Sequence, residues 1–405
     1  MTNMKKQLFS AMTAGALLLN IATPALAGTT LEISGNGSNS ESDVKVNSSN
    51  NTSVVQNNDA KVNNDIKVNS NTGDNSASDN TGGDVKVETG DADTEVNVSN
   101  SLNSNQANVD CCQSGDTELK ISGNGTKSDN KIDLDQSNKT EVFQNNKADV
   151  KNKVDVKSDT GDNDADDNTG GNVEIKTGDA STTVNVGTTA NANSAQVGGN
   201  GGNDGELSAW ITGNGSNSDN DIYLDVDNGT TLVQDNDAKV DNDVKVDSDT
   251  GDNDADDNTG GDVMIETGDA DADVTIDNMV NFNAADVDCG CVLDLTAKIA
   301  GNGTDSDNKI DADLGSDKDV HQDNNSDLKN KGKVDADTGD NDADDNTSYE
   351  GDPSIKTGDA DTTVDVENSG NANAYGQDVD FDWPDFNFDF SFDFDLSDLL
   401  DALGM

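Results

Sequence analysis

Apolar residues along this chain come in short bursts at alternate positions, as in Val44/Val46, Ile66/Val68, Val85/Val87 and Val96/Val98. The bursts return further on as Ile132/Leu134, Val154/Val156, Val173/Ile175 and Val184/Val186. Alternation of β-branched residues, bounded by Gly, Asn and Asp clusters, predicts short strands separated by turns. No segment sustains the 3.6-residue period of an amphipathic helix. The expected fold class is all-β.

The pattern is one unit written four times. Gly-Asn-Gly begins at Gly35, Gly123, Gly213 and Gly301, at spacings of 88, 90 and 88. Thr-Gly-Asp-Asn begins at Thr72, Thr160, Thr250 and Thr338, and a Gln recurs at Gln56, Gln144, Gln234 and Gln322, with the same three spacings. Thr-Gly-Asp-Ala begins at Thr89, Thr177, Thr267 and Thr357. Independent markers that share a period define tandem repeats. They are placed at 31–118, 119–208, 209–296 and 297–380, with a distinct segment at 381–405.

Each burst offers two or three apolar side chains, too few to fill a two-sheet core alone. A β-solenoid is therefore favoured, since stacked rungs bury thin faces continuously and align Asn and Gln in ladders. Four tandem β-sandwich domains are the alternative. With about 22 residues per rung, each copy would hold about four rungs, and four copies would form a rod roughly 75 Å long.

Residues 1–27 have the pattern of an export signal: Lys5 and Lys6, an apolar run from about Leu8 to Ile21, then Ala25-Leu26-Ala27. Cleavage is expected after Ala27. No later segment is long and apolar enough to cross a bilayer as a helix. The mature chain is expected to be secreted, extracellular or at the cell surface.

Composition sharpens this picture. The chain carries 82 acidic and 24 basic side chains and a formal charge of −58; 71 of the acids are Asp, and every base is Lys. Asp and Asn favour turns over helix interiors. Hydrophobic residues make up 30% and aromatics 3%, so a conventional core is excluded, and cations or repeat stacking must make up the difference. No nucleic-acid partner is expected, because phosphate binding needs a basic footprint and this chain would be repelled.

The chemistry-bearing constellation is acidic. It reads Asp162-x-Asp164-x-Asp166-Asp167-Asn168 in the second copy, Asp252-x-Asp254-x-Asp256-Asp257-Asn258 in the third and Asp340-x-Asp342-x-Asp344-Asp345-Asn346 in the fourth. Oxygens at alternate positions of a tight loop suit Ca²⁺, which takes six to eight oxygen ligands. The spacing resembles the first half of EF-hand and dockerin-type calcium loops. It departs from them with Asp at the sixth position and Val at the twelfth. The alternative is a solvated, charge-rich turn. The first copy has Ser76 and Ser78 where the others have Asp. Asp91, Asp179, Asp269 and Asp359 add carboxylates that either complete a coordination shell or serve as turn residues. Stacked Asp residues about 5 Å apart would repel by about 3 kcal/mol at an effective dielectric near 20, a penalty that divalent ions remove.

Cys111-Cys112 and Cys289-x-Cys291 end the first and third copies and are disulfide candidates in an exported chain. His321 fills a slot held by Val55, Phe143 and Val233 elsewhere, which reads as a packing variant and not as a ligand. No catalytic set appears: there is no G-x-S-x-G, no H-E-x-x-H and no second His. A polysaccharide-active enzyme is the remote alternative to a non-enzymatic protein.

Val55-Gln56-Asn57-Asn58-Asp59-Ala60-Lys61-Val62 resembles the Gln/Asn/Ala/Val rungs of curlin-type biofilm amyloid repeats, and Gly83–Asp91 is similar to the Gly-Asp-bounded strands of secreted fibre proteins. The resemblance touches about a third of each copy and implies a self-associating fibre of the surface or matrix. The 88-residue period and the Asp density depart from curlin's shorter, less charged repeat. The class this competes with is a monomeric calcium-binding adhesin or ligand-binding module.

Six of the nine Phe residues lie beyond residue 380. Phe386, Phe388, Phe390, Phe392 and Phe394 alternate with polar residues, so an extended strand would put all five rings on one face. Leu396, Leu399, Leu400 and Leu403 are spaced for a short helix. This segment is expected either to cap the stack or to dock onto another subunit or an envelope partner.

Overall fold

The computed structural model describes residues 8–11, 16–21, 29–109, 116–198, 206–288, 295–347 and 351–376. The aromatic segment at 381–405, with its expected strand and helix, and all four cysteines lie outside the described residues. What is described is all-β; among these residues no helix is long and apolar enough to cross a membrane.

Two strands, β1 (Leu8–Ala11) and β2 (Ala16–Ile21), lie within the segment read as a leader. The first copy then contributes β3 (Thr29–Ser34), β4 (Glu41–Asn71), β5 (Val85–Glu88) and β6 (Ala92–Val109). The second contributes β7 (Thr117–Ser122), β8 (Asp129–Asp159), β9 (Val173–Lys176) and β10 (Ala180–Gly198). The third gives β11 (Leu207–Thr212), β12 (Asp219–Asp249), β13 (Val263–Glu266) and β14 (Ala270–Asp288). The fourth gives β15 (Leu295–Ala300), β16 (Asp307–Asp337), β17 (Ser354–Lys356) and β18 (Ala360–Tyr375).

Every strand of a copy pairs in parallel with its equivalent in the next. The four sheets run β3-β7-β11-β15, β4-β8-β12-β16, β5-β9-β13-β17 and β6-β10-β14-β18, and β1 and β2 add to the outer edge of β6. The register is one copy length: Gln56 lies beside Gln144, Gln144 beside Gln234, and Gln234 beside Gln322. A copy is therefore a single coil. The expected rung of about 22 residues is corrected to a whole copy, and the four coils rise only about 14 Å from first to last at ~4.8 Å per strand. The 31 residues of β4 span about 100 Å of strand, so each coil is wide and the stack is low.

Taken locally, the bursts predict separate strands, because the polar runs between them look like turns. In the structure Val44/Val46 and Ile66/Val68 belong to the one strand β4, and the alternation simply continues inward through polar side chains. Val54 and Gln56 are buried, and in the second copy Val142, Gln144, Asn146, Ala148, Val150 and Asn152 all are. Over this long strand the chain doubles back. Val68 packs with Val96 and Val98, Val62 with Leu102, Val54 with Ala107 and Val109, and Val44 with Leu31 and Ile33. Thus β6 and β3 cover β4 from the opposite side, and apolar layers alternate with layers of Asn and Gln.

Most buried amides are acceptable because they pair with their own kind one coil away; Asn100 instead donates to the Thr188 hydroxyl, and Asn258 Nδ2 is buried without a partner. Asn146 Nδ2 donates to Asn236 Oδ1 at 3.1 Å and to Asn193 Oδ1 on the facing strand at 2.8 Å. Gln234 Nε2 donates to Gln144 Oε1 at 2.8 Å and to the Ala284 carbonyl at 2.9 Å. The returning strand bends at Asn103, Asn191, Asn281 and Asn371, each at φ between +56° and +64°. Asn tolerates this left-handed conformation, and Asn191 Nδ2 ties the bend to the Asp237 carbonyl and to Asn281 Oδ1.

Candidate metal site and the outward columns

Between β8 and β9 the second copy makes a side lobe, residues 160–172, repeated in each coil. Its neck is clasped by Thr160, whose hydroxyl donates to the Gly178 carbonyl at 2.9 Å; Thr72, Thr250 and Thr338 do the same to Gly90, Gly268 and Gly358. These pairs join the two Thr-Gly-Asp motifs of each copy. Asn163, Ala165 and Asn168 turn inward and are buried, together with Val173 and Ile175.

The acidic residues consequently do not wrap around one centre. Asp162 and Asp167 are exposed at positive φ on either side of the bend, while Asp164 and Asp166 are half-buried on its outer face. Asp252, Asp254, Asp256 and Asp257 repeat this arrangement, as do Asp340, Asp342, Asp344 and Asp345 in the more exposed fourth coil. The three Asn residues are committed to the stack. Asn168 Oδ1 accepts from Asn80, Asn258 Oδ1 accepts from the Asn168 amide at 2.9 Å, and Asn346 Oδ1 accepts from the Asn258 amide at 2.8 Å. Among the described residues, no group of three or more His, Cys, Asp or Glu is arranged to hold a metal ion.

Carboxylates instead converge between coils. The Asp256 amide donates to Asp166 Oδ1 at 2.7 Å, and in the first coil Ser78 takes that place, accepting from the Asp166 amide at 3.0 Å and donating to Asp164 Oδ1 at 2.6 Å. Asp254 Oδ1 is buried without a hydrogen-bond partner. Desolvation, then the charges of Asp166 and Asp256, push the Asp254 carboxyl up to about 6. Burial likewise raises Asp249 to about 6, against the opposing amide of Gly251. Burial also raises Asp162, Asp166 and Asp252, and the neighbouring Asp342 raises Asp344. Asp91, Asp179 and Asp269 use their carboxylates to accept the backbone amides of Asp179, Asp269 and Asp359, so they act in turn stacking.

These shifts set a pH dependence. A carboxyl whose folded pKa lies above its unfolded value stabilises the fold fully below the unfolded pKa, and that stability is lost as pH rises through the folded pKa. For Asp249 and Asp254 the window runs from about 4 to about 6. Among the described acids, only Glu266, paired with Lys356 and Lys176, is moved clearly downward. Without divalent ions, Tm is expected to be several degrees higher near pH 4.5 than near pH 7.5. Calorimetry at the two pH values checks this, and a Tm that falls on acidification would count against it.

The outward face holds an order that the sequence reading missed. Columns running through the four coils alternate in charge: Asp43–Lys131–Asp221–Lys309, Asp65–Lys153–Asp243–Lys331 and Lys61–Asp149–Lys239–Asp327 on the long sheet, and Glu88–Lys176–Glu266–Lys356 up to the fourth coil. Lys61 sits 3.6 Å from Asp149, and Lys176 sits 3.2 Å from Glu266. In the third coil two aromatic rings interrupt such columns, Trp210 in the place of an acid between Lys120 and Lys298 and Tyr223 in the place of a base between Asp133 and Asp311. Tyr223 has Lys131 and Lys309 each 4.9 Å from its ring centre, and Trp210 has Lys298 at 5.3 Å. Superposing the copies at offsets of 88, 90 and 88, with 90 for the last step of the Glu88 column, would have exposed the alternation. His321 stands in the outward column of Val55, Phe143 and Val233 and is exposed.

Searches against protein-family models, curated proteins and solved structures found no match.

Proposed function

We propose that this chain is an exported, non-enzymatic structural protein of the cell surface or extracellular matrix, built as a four-coil β-solenoid that associates with copies of itself into fibres. One observation carries this reading: the stack has no built end at the fourth coil among the described residues. Ile299, Ile355, Val364 and Val366 are 48%, 45%, 51% and 42% exposed, whereas their equivalents in the third coil, Ile211, Ile265, Val274 and Ile276, are at most 1% exposed. An unpaired strand edge with exposed apolar columns is a template for another chain. Electron microscopy of the exported protein tests the reading. Filaments are expected, and dispersed single particles would favour a monomeric calcium-binding adhesin.

Calcium is proposed as the stabilising ion, bound between coils along the Asp164–Asp254 and Asp166–Asp256 columns. Its support is the density of like charge there and the unpartnered Asp254 Oδ1. Ligand that binds only the folded state stabilises it by about 4 kcal/mol at a thousand times its dissociation constant. Circular dichroism in EDTA and then in excess Ca²⁺ should show a β-rich spectrum whose melting shifts upward with the ion. An identical melt in both conditions would remove calcium from the account.

The 381–405 segment is proposed as the assembly or capping element. Deleting it is expected to abolish assembly with intact coils if it docks, or to lower the melting of the fourth coil if it caps. Unchanged assembly and melting would leave it without either role.

A further inference from the structure

We propose that the alternating charge columns specify the junction between chains: the fourth coil of one chain stacks in register on the first coil of a second copy, and an even number of coils makes this possible. The proposal rests on the self-association reading and adds its polarity and register. Continued by one coil, the columns would set Lys309 against Asp43, Lys331 against Asp65, Asp327 against Lys61 and Lys356 against Glu88, each of opposite sign. A chain ending after three coils would instead meet like charge in all four columns, because Asp221, Asp243, Lys239 and Glu266 repeat the signs of the first coil.

Two further features fit the same junction. The exposed Ile299 and Val364 would continue onto Ile33 and Val96, closing the apolar columns that run through the chain. The first coil is also neutral where the fourth is acidic, with Asn51, Asn57 and Asn71 standing in the columns of Asp317, Asp323 and Asp337. The match is incomplete, since Lys333 would meet Lys67, and Asp340 would meet Asp74 as Asp residues already meet within the chain. Exposed ion pairs add little affinity, but opposed like charges select strongly against wrong registers. A head-to-tail contact of this kind does not close, so it yields an open filament that lengthens by about 19 Å per chain.

Because β1 and β2 lie on the edge of β6, the test uses the chain without residues 1–27. Filaments grown from a mixture of ¹⁵N-labelled and unlabelled protein are treated with a carbodiimide, which couples Lys amines to adjacent carboxylates. Mass spectrometry is expected to find Lys309–Asp43 and Lys331–Asp65 linked between labelled and unlabelled chains. Within one chain these partners are three coils, about 14 Å, apart, beyond zero-length coupling. Filaments that lack both links, as when the tail covers the fourth coil, overturn the junction and leave self-association standing. Absence of filaments overturns both.

A second measurement uses two variants of the same chain without residues 1–27, K309D/K331D and D43K/D65K. Each alone should nucleate at least ~10-fold more slowly, while an equimolar mixture, whose junctions are all complementary, should recover the wild-type rate. Recovery is the informative result, since folding damage within either variant would not be repaired by mixing. Variants that retain the wild-type β spectrum yet assemble at the wild-type rate when alone would overturn the proposal.

Discussion

Replacing Asn236 with Leu is expected to be among the most damaging single changes in the chain. Asn236 is fully buried. Its Oδ1 accepts from Asn146 at 3.1 Å and Asn193 at 2.9 Å, and its Nδ2 donates to Asn283 and Asn324, both at 2.9 Å. Leu matches the volume and removes the polarity, so amides on four neighbouring strands lose a partner in a site closed to water. Each such group costs about 1–3 kcal/mol, and the sum should exceed ~4 kcal/mol. Val240→Ala, in the adjacent apolar layer, removes methyl groups without orphaning a polar atom and should cost less, about 1–3 kcal/mol. Urea melts of both variants, followed by circular dichroism, give the comparison. If Asn236→Leu were the milder change, the ladders would be filler and not a source of register.

Gly161→Ala is expected to disrupt the lobe stack for a different reason. A Cβ at Gly161 would lie 1.8 Å from the Gly251 carbonyl oxygen and 2.9 Å from its carbon. Both obstacles are backbone in the next coil, so no side chain can swing aside, and the cost should reach or exceed ~3 kcal/mol. Gly229 has nothing within 4 Å of its would-be Cβ, and Gly229→Ala should change stability by less than about 0.5 kcal/mol. Limited proteolysis should cut the Gly161→Ala variant within 160–172 and leave the Gly229→Ala variant resistant. Equal resistance would show that the coils can part at the lobe without penalty.

That glycine also shows what the sequence made legible. Thr-Gly-Asp was visible as a fixed marker from its spacing alone, but its reason lies in the next coil. The Gly lets two backbones approach, and the Thr closes the neck. The class of fold was readable from alternation and repetition, because these are properties of a single strand. Coil length was not. Asn57-Asn58 and Asn63-Asn64 are turn signals under local rules, and only an identical residue one copy away makes Asn58 and Asn64 interior side chains, bonded to Asn146 at 3.0 Å and Asn152 at 2.7 Å. The acidic loops are a second case: alternation alone does not say which side chains face outward, and inward-turning Asn163, Ala165 and Asn168 leave the carboxylates in columns that run from coil to coil.

The ladders have a consequence for what this surface can recognise. An apolar interior accepts any partner of suitable volume, whereas a row of Asn and Gln amides needs an incoming layer with a matching amide, or a hydroxyl as Thr188 offers Asn100, at the same place and in the right hydrogen-bond direction. Each coil thus discriminates by hydrogen-bonding match. Unrelated strands that meet the open end would bury amides without partners, and such encounters should dissociate quickly. A strand edge of about 100 Å would otherwise accept almost any strand; the amide rows narrow what can bury it.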